Sequence, residues 1–346
     1  MTTTSHPSGG RRVRARALGI LLAAGAILTG LPASAGAQSL LGMSGLGFPL
    51  EPIDARARGM GSLGVGLFGP SLLPGDPAVA QALLIPMVTA TLQPSWVTRS
   101  SPEEEQRFST NRFPLLGVAY PFGPANGIAT LTFSGYMDQR WEVIREGSVE
   151  LAGVTVPIID AFRSEGGISV LRLGWSHRLG EGLAVGATVG SYLGNGRRSF
   201  RRTFDAEALG DTATAVEFRT EGEWRYTGPT ASLGVSWDAT ELIRVAGSVI
   251  WSGDLHAEAK GERGSRSRDF DLPTEFRIGA SGNLGSGLAV NLGLQYADWG
   301  GADDDFEDSS TTGAVWSLGG GVEWEGPGFL GRNFPLRAGY RRRGLP

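Results

Sequence analysis

Charged side chains recur at alternate positions in several segments of the chain. Glu275 and Arg277 are interleaved with Phe276 and Ile278, and in an extended strand this spacing places the charges on one face and the apolar groups on the other. Opposite charges on a shared inner face can form ion pairs, and an arginine can also bind a carboxylate. The pattern predicts six inward-facing charges, which we expect mainly to pair with one another: Arg172, Arg244, Glu275, Arg277, Glu323 and Arg337.

Residue types that serve enzymes are sparse and scattered. Only three histidines occur, and two of them, His177 and His256, are predicted at opposite ends of the strands described below. The sequence has no Gly-x-Ser-x-Gly elbow and no His-Glu-x-x-His pair, and it has no cysteine. The segment Gly59–Gly64 spells Gly-x-Gly-x-x-Gly, but no predicted strand precedes it. We therefore predict a protein that is not an enzyme and that uses no cofactor.

An acidic run, Asp303–Asp308, is the one candidate for a metal site. Its carboxylates are the oxygen ligands that Ca²⁺ prefers, but the run lacks the glycine at the sixth position and the spaced glutamate of an EF-hand loop. We interpret the run instead as a solvated acidic loop, and we predict no metal site.

Alternation with a period of two extends over most of the chain. In Leu288–Ala297 the residues Leu288, Val290, Leu292, Leu294 and Tyr296 share one face, whereas Asn291 lies on the other. The pattern predicts eleven strands, with alternately short and long connections between them. They span 87–97, 113–122, 128–144, 166–179, 183–204, 216–237, 242–256, 270–284, 288–299, 312–325 and 334–343.

This arrangement predicts an all-β protein, a transmembrane antiparallel β-barrel with apolar residues toward lipid. Outer-membrane barrels have short periplasmic turns and long external loops, so the alternation assigns a side to every connection. Tryptophans near the strand ends, such as Trp96, Trp175 and Trp316, fit an interfacial girdle. The 54 glycines among 346 residues suit a curved wall, although a glycine-rich soluble β-protein remains the alternative at this point.

The N-terminus has the features of a secretory leader. Arginines such as Arg11 and Arg16 precede the apolar run Ala17–Leu31, which is too short to span a bilayer, and small residues follow it. We predict a signal peptide over 1–37 with cleavage before Gln38, and hence export. The net charge of −4 argues against nucleic acid as a partner.

Residues 38–86 differ from the rest because they are rich in Gly, Pro, Leu and Ala and lack sustained alternation. We expect short helices and turns that form an N-terminal plug, or hatch, inside a barrel built from 87–346. Because outer-membrane barrels normally have an even number of strands, the eleven predicted strands lead us to expect that the C-terminal strands are missing from this chain. Three more would give fourteen. Pro94 and Gly135 are candidates for an interruption of the strand ladder.

Two segments resemble the FadL family of outer-membrane transporters for long-chain fatty acids and aromatic hydrocarbons. The first is Ala55–Gly61 followed by Gly75–Ala78, which resembles the Ala-Arg-rich stretch, Met-Gly turn and Asn-Pro-Ala motif of the family's plug, with Asp76 in place of the asparagine. The second is Asp271–Pro273, Phe276–Ala280 and Leu288–Trp299, which resembles later strands of the family. PorV-like barrels, which act in protein secretion, share a similar N-terminal pattern and are the alternative.

The resemblance implies a barrel of about fourteen strands whose plug fills the lumen, with passive passage of hydrophobic compounds and sideways exit into the outer membrane. It implies as partners the hydrophobic substrate, outer-membrane lipid and lipopolysaccharide, and the barrel-assembly machinery during insertion. The plug motif would comprise Arg58, Gly59, Met60, Gly61, Asp76, Pro77 and Ala78. Apolar plug residues could line a ligand pocket, with Phe48, Met60, Leu67, Phe68, Leu72 and Leu73 as the candidates.

Overall fold

The computed structural model describes residues 46–100, 105–123, 126–151, 154–205, 217–260, 266–301, 313–326, 328–329 and 332–344. The predicted leader over 1–37 and the acidic run Asp303–Asp308 lie outside these ranges. None of the helices within them is long and apolar enough to cross a membrane.

The described chain is dominated by one antiparallel sheet. Eleven strands follow one another across it in the order β2, β3, β4, β6, β7, β8, β9, β12, β13, β14 and β17, while four short or peripheral strands pair at its edges. The bounds of the eleven are β2 Met87–Ser100, β3 Glu105–Phe122, β4 Gly127–Asp138, β6 Val154–Arg178, β7 Leu183–Phe204, β8 Glu217–Thr240, β9 Ile243–Ser252, β12 Glu275–Asn283, β13 Leu288–Asp298, β14 Ala314–Trp324 and β17 Leu336–Arg343.

The remaining strands are short or lie at one end of the sheet. They are β1 Phe48–Pro49, β5 Trp141–Leu151, β10 Leu255–Lys260, β11 Arg268–Phe270, β15 Gly328–Phe329 and β16 Arg332–Asn333. Strands β5, β10 and β11 continue the sheet beyond the long-loop end of its neighbours, because β5 pairs with the first half of β6 and β10 pairs with β8.

The eleven predicted strands correspond to these eleven strands in order, which confirms the predicted fold class. The differences lie at the long-loop end. The predicted strand 128–144 is broken after Asp138, and β5 begins at Trp141. The predicted loop 145–165 is instead β5 and the outer half of β6, since the charged residues of this segment pair across strands rather than leaving the sheet.

The outer face of the sheet is apolar over a band of limited height. On β7 the outward positions run from Val185 to Leu193, and Val189 between them is 63% exposed. Eight residue steps rise about 27 Å along the strand, and a strand tilt near 40° reduces this to a height of about 21 Å, somewhat less than the 25 Å or so of the apolar band of a membrane barrel. Leu292, which is 65% exposed, faces this band, whereas Asn291 is 1% exposed. The predicted orientation of β13 is therefore confirmed.

Residues 46–86, which precede β2, pack against the inner face of the sheet, and we call this segment the plug. It contains one short helix, α1 (Ala55–Gly59), and a 3₁₀ helix (Val79–Ala82). The Asp54 carboxylate accepts a 2.7 Å hydrogen bond from the Ala57 N–H and caps α1. A small core of Ile53, Ala57, Met60, Leu67, Leu73 and Val79 holds the plug together.

Wall glycines allow the plug backbone to touch the sheet. A Cβ atom at Gly279 of β12 would lie 2.6 Å from the Val65 carbonyl oxygen, and one at Gly234 of β8 would lie 2.9 Å from the Pro77 ring. A side chain at either position would push the plug away from the wall. The abundance of glycine thus has a specific use, which is the close approach of two backbones.

Candidate functional site

The ladder between β3 and β4 stops partway along the strands. It begins at Phe122 and Gly127 and ends where Leu115 pairs with Ser134. The next residue of β3 toward the long-loop end is Pro114, which has no N–H to donate to a neighbouring strand. We call the interval beyond Leu115 and Ser134 the seam.

Two β-bulges flank the seam. Phe113 and Pro114 together lie opposite the single residue Leu92 in the β2–β3 ladder. In the β4–β6 ladder, Tyr136 is an additional residue between Gly135 and Met137. Bulges bend a strand and disrupt its pairing, so both walls of the seam are distorted at the same level. Of the predicted interruption sites, Gly135 adjoins a bulge, whereas Pro94 pairs in register with Asn111.

The plug occupies the inner side of the seam. Strand β1 pairs with the end of β4, with Phe48 opposite Asp138 and Pro49 opposite Met137. The Leu50 N–H then donates a 2.7 Å hydrogen bond to the Tyr136 carbonyl oxygen. The plug therefore pairs with the part of β4 that does not pair with β3.

Side chains close the far end of the seam. Arg112 on β3 forms an ion pair with Asp138 at the end of β4, and the Arg140 side chain donates to the Asn111 carbonyl oxygen at 3.3 Å. The seam is therefore a bounded window in the wall, with backbone pairs below it and an ion pair above it.

A cavity of about 60 Å³ lies in the lumen beside the seam. Its floor is formed by the plug residues Pro49–Pro52 and Pro74–Gly75, and its walls by residues of eight strands. Residues 134–137 of β4 line both this cavity and the seam, so the two are adjacent.

The cavity has a charged lining. It includes the arginines Arg172, Arg277 and Arg343 and the glutamates Glu51 and Glu275. Arg277 pairs with Glu275 at 2.7 Å, and Arg343 lies 3.7 Å from Glu51.

Arg172 is the exception among these charges. It is 5% exposed and has no carboxylate within ion-pair distance among the described residues. One of its nitrogens lies 3.4 Å from the Ser134 hydroxyl, and its Nε has no partner in the described chain. The Tyr136 hydroxyl, on the same cavity wall, is likewise buried without a partner there. A buried cation with free donors favours an anionic or hydrogen-bond-accepting ligand.

The other predicted inward charges hold the plug or pair with one another. Arg244 bonds to Asp238 at 2.6 Å and to the Leu67 carbonyl oxygen at 3.0 Å. Arg277 donates to the Leu63 carbonyl oxygen at 3.2 Å. Glu323 accepts from Arg56 of the plug at 2.8 Å and from Arg337 of β17 at 2.5 Å.

The six apolar residues expected to line a ligand pocket do not share one cavity. Met60, Leu67 and Leu73 are buried in the plug core, and Leu72 packs in a second cluster with Ala119 and Ile128 of the wall. Phe48 pairs with β4.

Phe68 occupies a different place from the other five. It lies 4.9 Å from the Arg244 guanidinium and lines a separate cavity of about 600 Å³ at the short-turn end, beside Gly285 and Gly287. Plug packing and ligand binding require the same residue types, so the sequence alone does not separate these roles.

The plug motif is built around backbone approach and one buried acid. Met60 and Ala78 are buried, the Arg58 side chain donates to the Glu51 carbonyl oxygen at 3.4 Å, and Gly59 lies against the Arg337 side chain. Gly61 has a φ of +60° and lies against the Tyr340 backbone, a conformation that favours glycine. Pro77 touches the wall at Gly234.

Asp76 is fully buried, and its Oδ2 accepts a 2.9 Å hydrogen bond from the Gly66 N–H. Burial raises the pKa of the Asp76 carboxyl to about 6, although backbone N–H groups of Gly66, Val79 and Ala78 and the charge of Arg244 act in the opposite direction.

Sequence reasoning missed three residues of the seam: Leu50, Pro114 and Tyr136. A signal was present for Pro114, because a proline near the start of a predicted strand marks an edge or an irregularity. Leu50 and Tyr136 have no such signal in the sequence. Their hydrogen bond forms only because β3 does not pair with β4 at this level.

Comparison with solved structures identifies the fold. No family model and no curated protein matches the sequence. The toluene transporter TodX of P. putida is 13% identical, with a TM-score of 0.52 over 85% of this chain and 84% of that chain. The CymD monoaromatic hydrocarbon channel is 12% identical, with a TM-score of 0.50 over 86% of this chain and 85% of that chain. At these identities the likeness establishes a shared fold.

Proposed function

We propose that this chain, which has the fold of the TodX and CymD channels, is an outer-membrane channel for the passive uptake of hydrophobic compounds. Substrate enters the lumen from the long-loop end, reaches the cavity beside the plug, and leaves sideways through the seam between β3 and β4. The seam is the observation that carries the proposal, because it interrupts the wall beside a lumen cavity.

A sideways exit suits an apolar solute. Each CH₂ group gains about 0.8 kcal/mol when it leaves water, so a route from the lumen directly into lipid keeps the substrate out of water. A plugged lumen with a lateral exit provides this route, and diffusion down a gradient requires neither nucleotide nor cofactor.

The present cavity is too small for a substrate, so we infer that the plug segment Phe48–Pro52 moves. A cavity of about 150 Å³ binds benzene, whereas this one has a volume of about 60 Å³. Within this segment, Pro49–Pro52 line the cavity and Phe48–Leu50 cover the inner side of the seam. Displacement of this segment would widen the cavity and uncover the seam together.

Arg172 favours acids over unsubstituted hydrocarbons as substrates. A carboxylate at the cavity would satisfy the free Nε donor of Arg172 and accept from the Tyr136 hydroxyl, while its chain extends toward the seam. Long-chain fatty acids fit this description. Aromatic hydrocarbons could pass through the seam but would leave both buried donors unsatisfied, which is costly.

The predicted leader and the apolar band on the outer face support a location in the outer membrane. We propose export through the signal peptide, insertion by the barrel-assembly machinery and residence in the outer membrane among its lipids and lipopolysaccharide. In this proposal the plug corresponds to 38–86 and the barrel to 87–346.

The proposal is tested by uptake. The complete gene is expressed in Gram-negative cells that lack their own fatty-acid channel, and the initial rate of uptake of labelled oleate is measured. Insertion is verified by heat-modifiable gel mobility. Oleate uptake well above an empty-vector control is the expected result. An inserted barrel without uptake of oleate or toluene would overturn the proposal and favour a partner-binding role in protein secretion.

A further inference from the structure

The sheet continues outward beyond the lipid-facing band on β6, β7 and β8. These strands have 25, 22 and 24 residues, about twice the 9–11 needed to cross a bilayer. Their pairing runs without a register shift from Leu183 to Thr203 of β7. The residues that point toward lipid within the band therefore share a face with those that point outward above it.

This outward face changes abruptly from apolar to charged. On β7, Leu193 is the last outward apolar residue, and Arg197 and Arg201 follow at positions four and eight further along. These separations correspond to rises of about 13 and 27 Å along the strand. Arg163 of β6 and Arg219 of β8 lie on the same face. We call Arg163, Arg197, Arg201, Arg219, Glu217 and Glu221 the outer ladder.

The members of the outer ladder contact one another without being enclosed. Arg197 lies 3.1 Å from Glu221, and Arg201 lies 3.2 Å from Glu217. The side chains of the four arginines are nevertheless 51–58% exposed. A guanidinium has five N–H donors and a carboxylate engages two of them at most, so each arginine retains donors that face outward.

We propose that the outer ladder binds the phosphorylated headgroups of lipopolysaccharide around the barrel. The ladder lies outward of the apolar band on the same face of the same strands, which is the side on which these headgroups surround an outer-membrane barrel. Arginine binds phosphate through paired N–H donors. The headgroup layer also holds divalent cations between phosphates, and the ladder's glutamates supply the oxygen ligands that such cations take. A surface that alternates arginine and glutamate therefore complements both components.

The inference rests on the proposed outer-membrane location but not on transport, and its test uses no transport readout. Full-length protein in detergent is titrated with lipid A carrying two phosphates, in the presence of Mg²⁺, and the dissociation constant is measured by microscale thermophoresis. The variants are R197Q/R201Q and, independently, R163Q/R219Q. The control is R198Q, because Arg198 lies on β7 at the same height but on the opposite face, with its guanidinium 5.8 Å from the Trp224 ring.

We expect each double variant to bind bisphosphorylated lipid A about tenfold more weakly than the unsubstituted protein and R198Q to bind like it, with heat-modifiable mobility unchanged in all. Replacing Mg²⁺ with EDTA should also weaken binding. Equal affinity of the double variants and the unsubstituted protein would overturn the proposal. The proposal would also be overturned if the unsubstituted protein bound lipid A without phosphates as tightly as it binds bisphosphorylated lipid A. Neither result would bear on uptake of hydrophobic compounds.

Discussion

The backbone N–H of Leu50 in the plug donates a 2.7 Å hydrogen bond to the carbonyl oxygen of Tyr136 in the wall. Tyr136 is the additional residue of the β4 bulge, and β3 no longer pairs with β4 at this level. The plug and the wall are thus joined by a short ladder at the one place where we propose that substrate leaves. Such a short ladder is a low-stability element that can open locally.

A disulfide across this ladder should close the exit. Pro49 lies opposite Met137, and directly opposed Cα atoms in antiparallel strands are about 4.5–5.5 Å apart, within the range that a disulfide spans. The chain has no native cysteine, so the P49C/M137C pair would form the single disulfide. We expect oxidation to reduce the initial rate of oleate uptake at least fivefold and reduction to restore it.

A second cysteine pair controls for the disulfide itself. Val290 of β13 lies opposite Val322 of β14, within the wall and away from the plug. Oxidation of V290C/V322C should leave uptake unchanged. If the oxidised P49C/M137C protein transports as fast as its reduced form, the plug segment does not cover the exit.

Replacement of Arg172 should separate acids from hydrocarbons. R172M removes the buried charge and its free donor but retains the apolar length of the side chain. A hydrogen bond to a charged group contributes about 1.5–3 kcal/mol, so we expect the rate of oleate uptake at subsaturating concentration to fall about tenfold or more. Toluene uptake by the same cells should change less than about twofold. Equal losses for both substrates would mean that Arg172 has a structural role only.

The sequence was sufficient to predict the strands of the sheet, because each strand has one face toward the plug and the other toward the outside. Leu292 lies on the outer apolar face at 65% exposure and Asn291 on the inner face at 1%, and this contrast has to appear as alternation with a period of two. The predicted loop over the outer half of β6 is wrong, because the contrast between the two faces of the strand changes there. Beyond the apolar band the outward face is charged, so Arg163 and Glu165 have the residue types of a loop although they continue the strand.

The candidate site was less accessible to sequence reasoning. Alternation predicts an inward Arg172, and this residue is 5% exposed. Its lack of a carboxylate partner among the described residues depends on the positions of distant strands, which alternation does not give. The seam exists because β3 stops pairing with β4 beyond Leu115 and Ser134. Pro114 interrupts β3, yet a proline is compatible with an edge strand, and only the pairing of β4 with β1 shows that the edge faces the lumen.

A charge within the lipid-facing band should be costly. We expect L292R to lower the free energy of unfolding by about 2–4 kcal/mol, as arginine does near the midplane of other barrels. Ile159 is also exposed and outward-facing, but it lies on β6 beyond the band. I159R should therefore change the free energy by less than about 0.5 kcal/mol. Urea titration in lipid vesicles measures both variants, and similar losses would contradict the placement of the band.

Asp76 should make the stability of the plug depend on pH. Its pKa is about 6 in the folded protein and 3.8 in its unperturbed state. The folded state therefore binds the proton more tightly, and stability falls as pH rises from about 4 to about 6. The difference is about 3 kcal/mol by linkage. Above pH 6 the carboxyl is ionised in both states and its contribution becomes constant.

D76N provides the comparison, because asparagine has the same shape and can accept the Gly66 hydrogen bond without becoming charged. Urea midpoints of both proteins between pH 4 and pH 7 isolate the contribution of Asp76 from that of other carboxyls. We expect D76N to become the more stable protein as pH rises. Parallel curves for the two proteins would show that Asp76 does not titrate in this range.

Glu323 should hold the plug against the wall independently of the seam. It accepts from Arg56 of α1 at 2.8 Å and from Arg337 of β17 at 2.5 Å, and it is 13% exposed. E323Q leaves two arginines without their shared carboxylate, so we expect the local stability of the plug to fall by about 1–3 kcal/mol. Hydrogen exchange of residues 53–63 measures this as faster exchange.

The matched control for this change is E325Q. Glu325 and Glu323 both line the cavity of about 600 Å³ at the short-turn end. Among the described residues, however, Glu325 forms no ion pair with the plug. Residues 53–63 are held at this end by Glu323, whereas the segment Phe48–Pro52 is held at the seam and, through Glu51, by Arg341 and Arg343. The two attachments should therefore act separately. E323Q should therefore accelerate exchange in α1 while the rate of oleate uptake stays within about twofold of the unsubstituted protein. A large increase in uptake would mean that the whole plug moves as one body, and that the seam segment is not the only moving part.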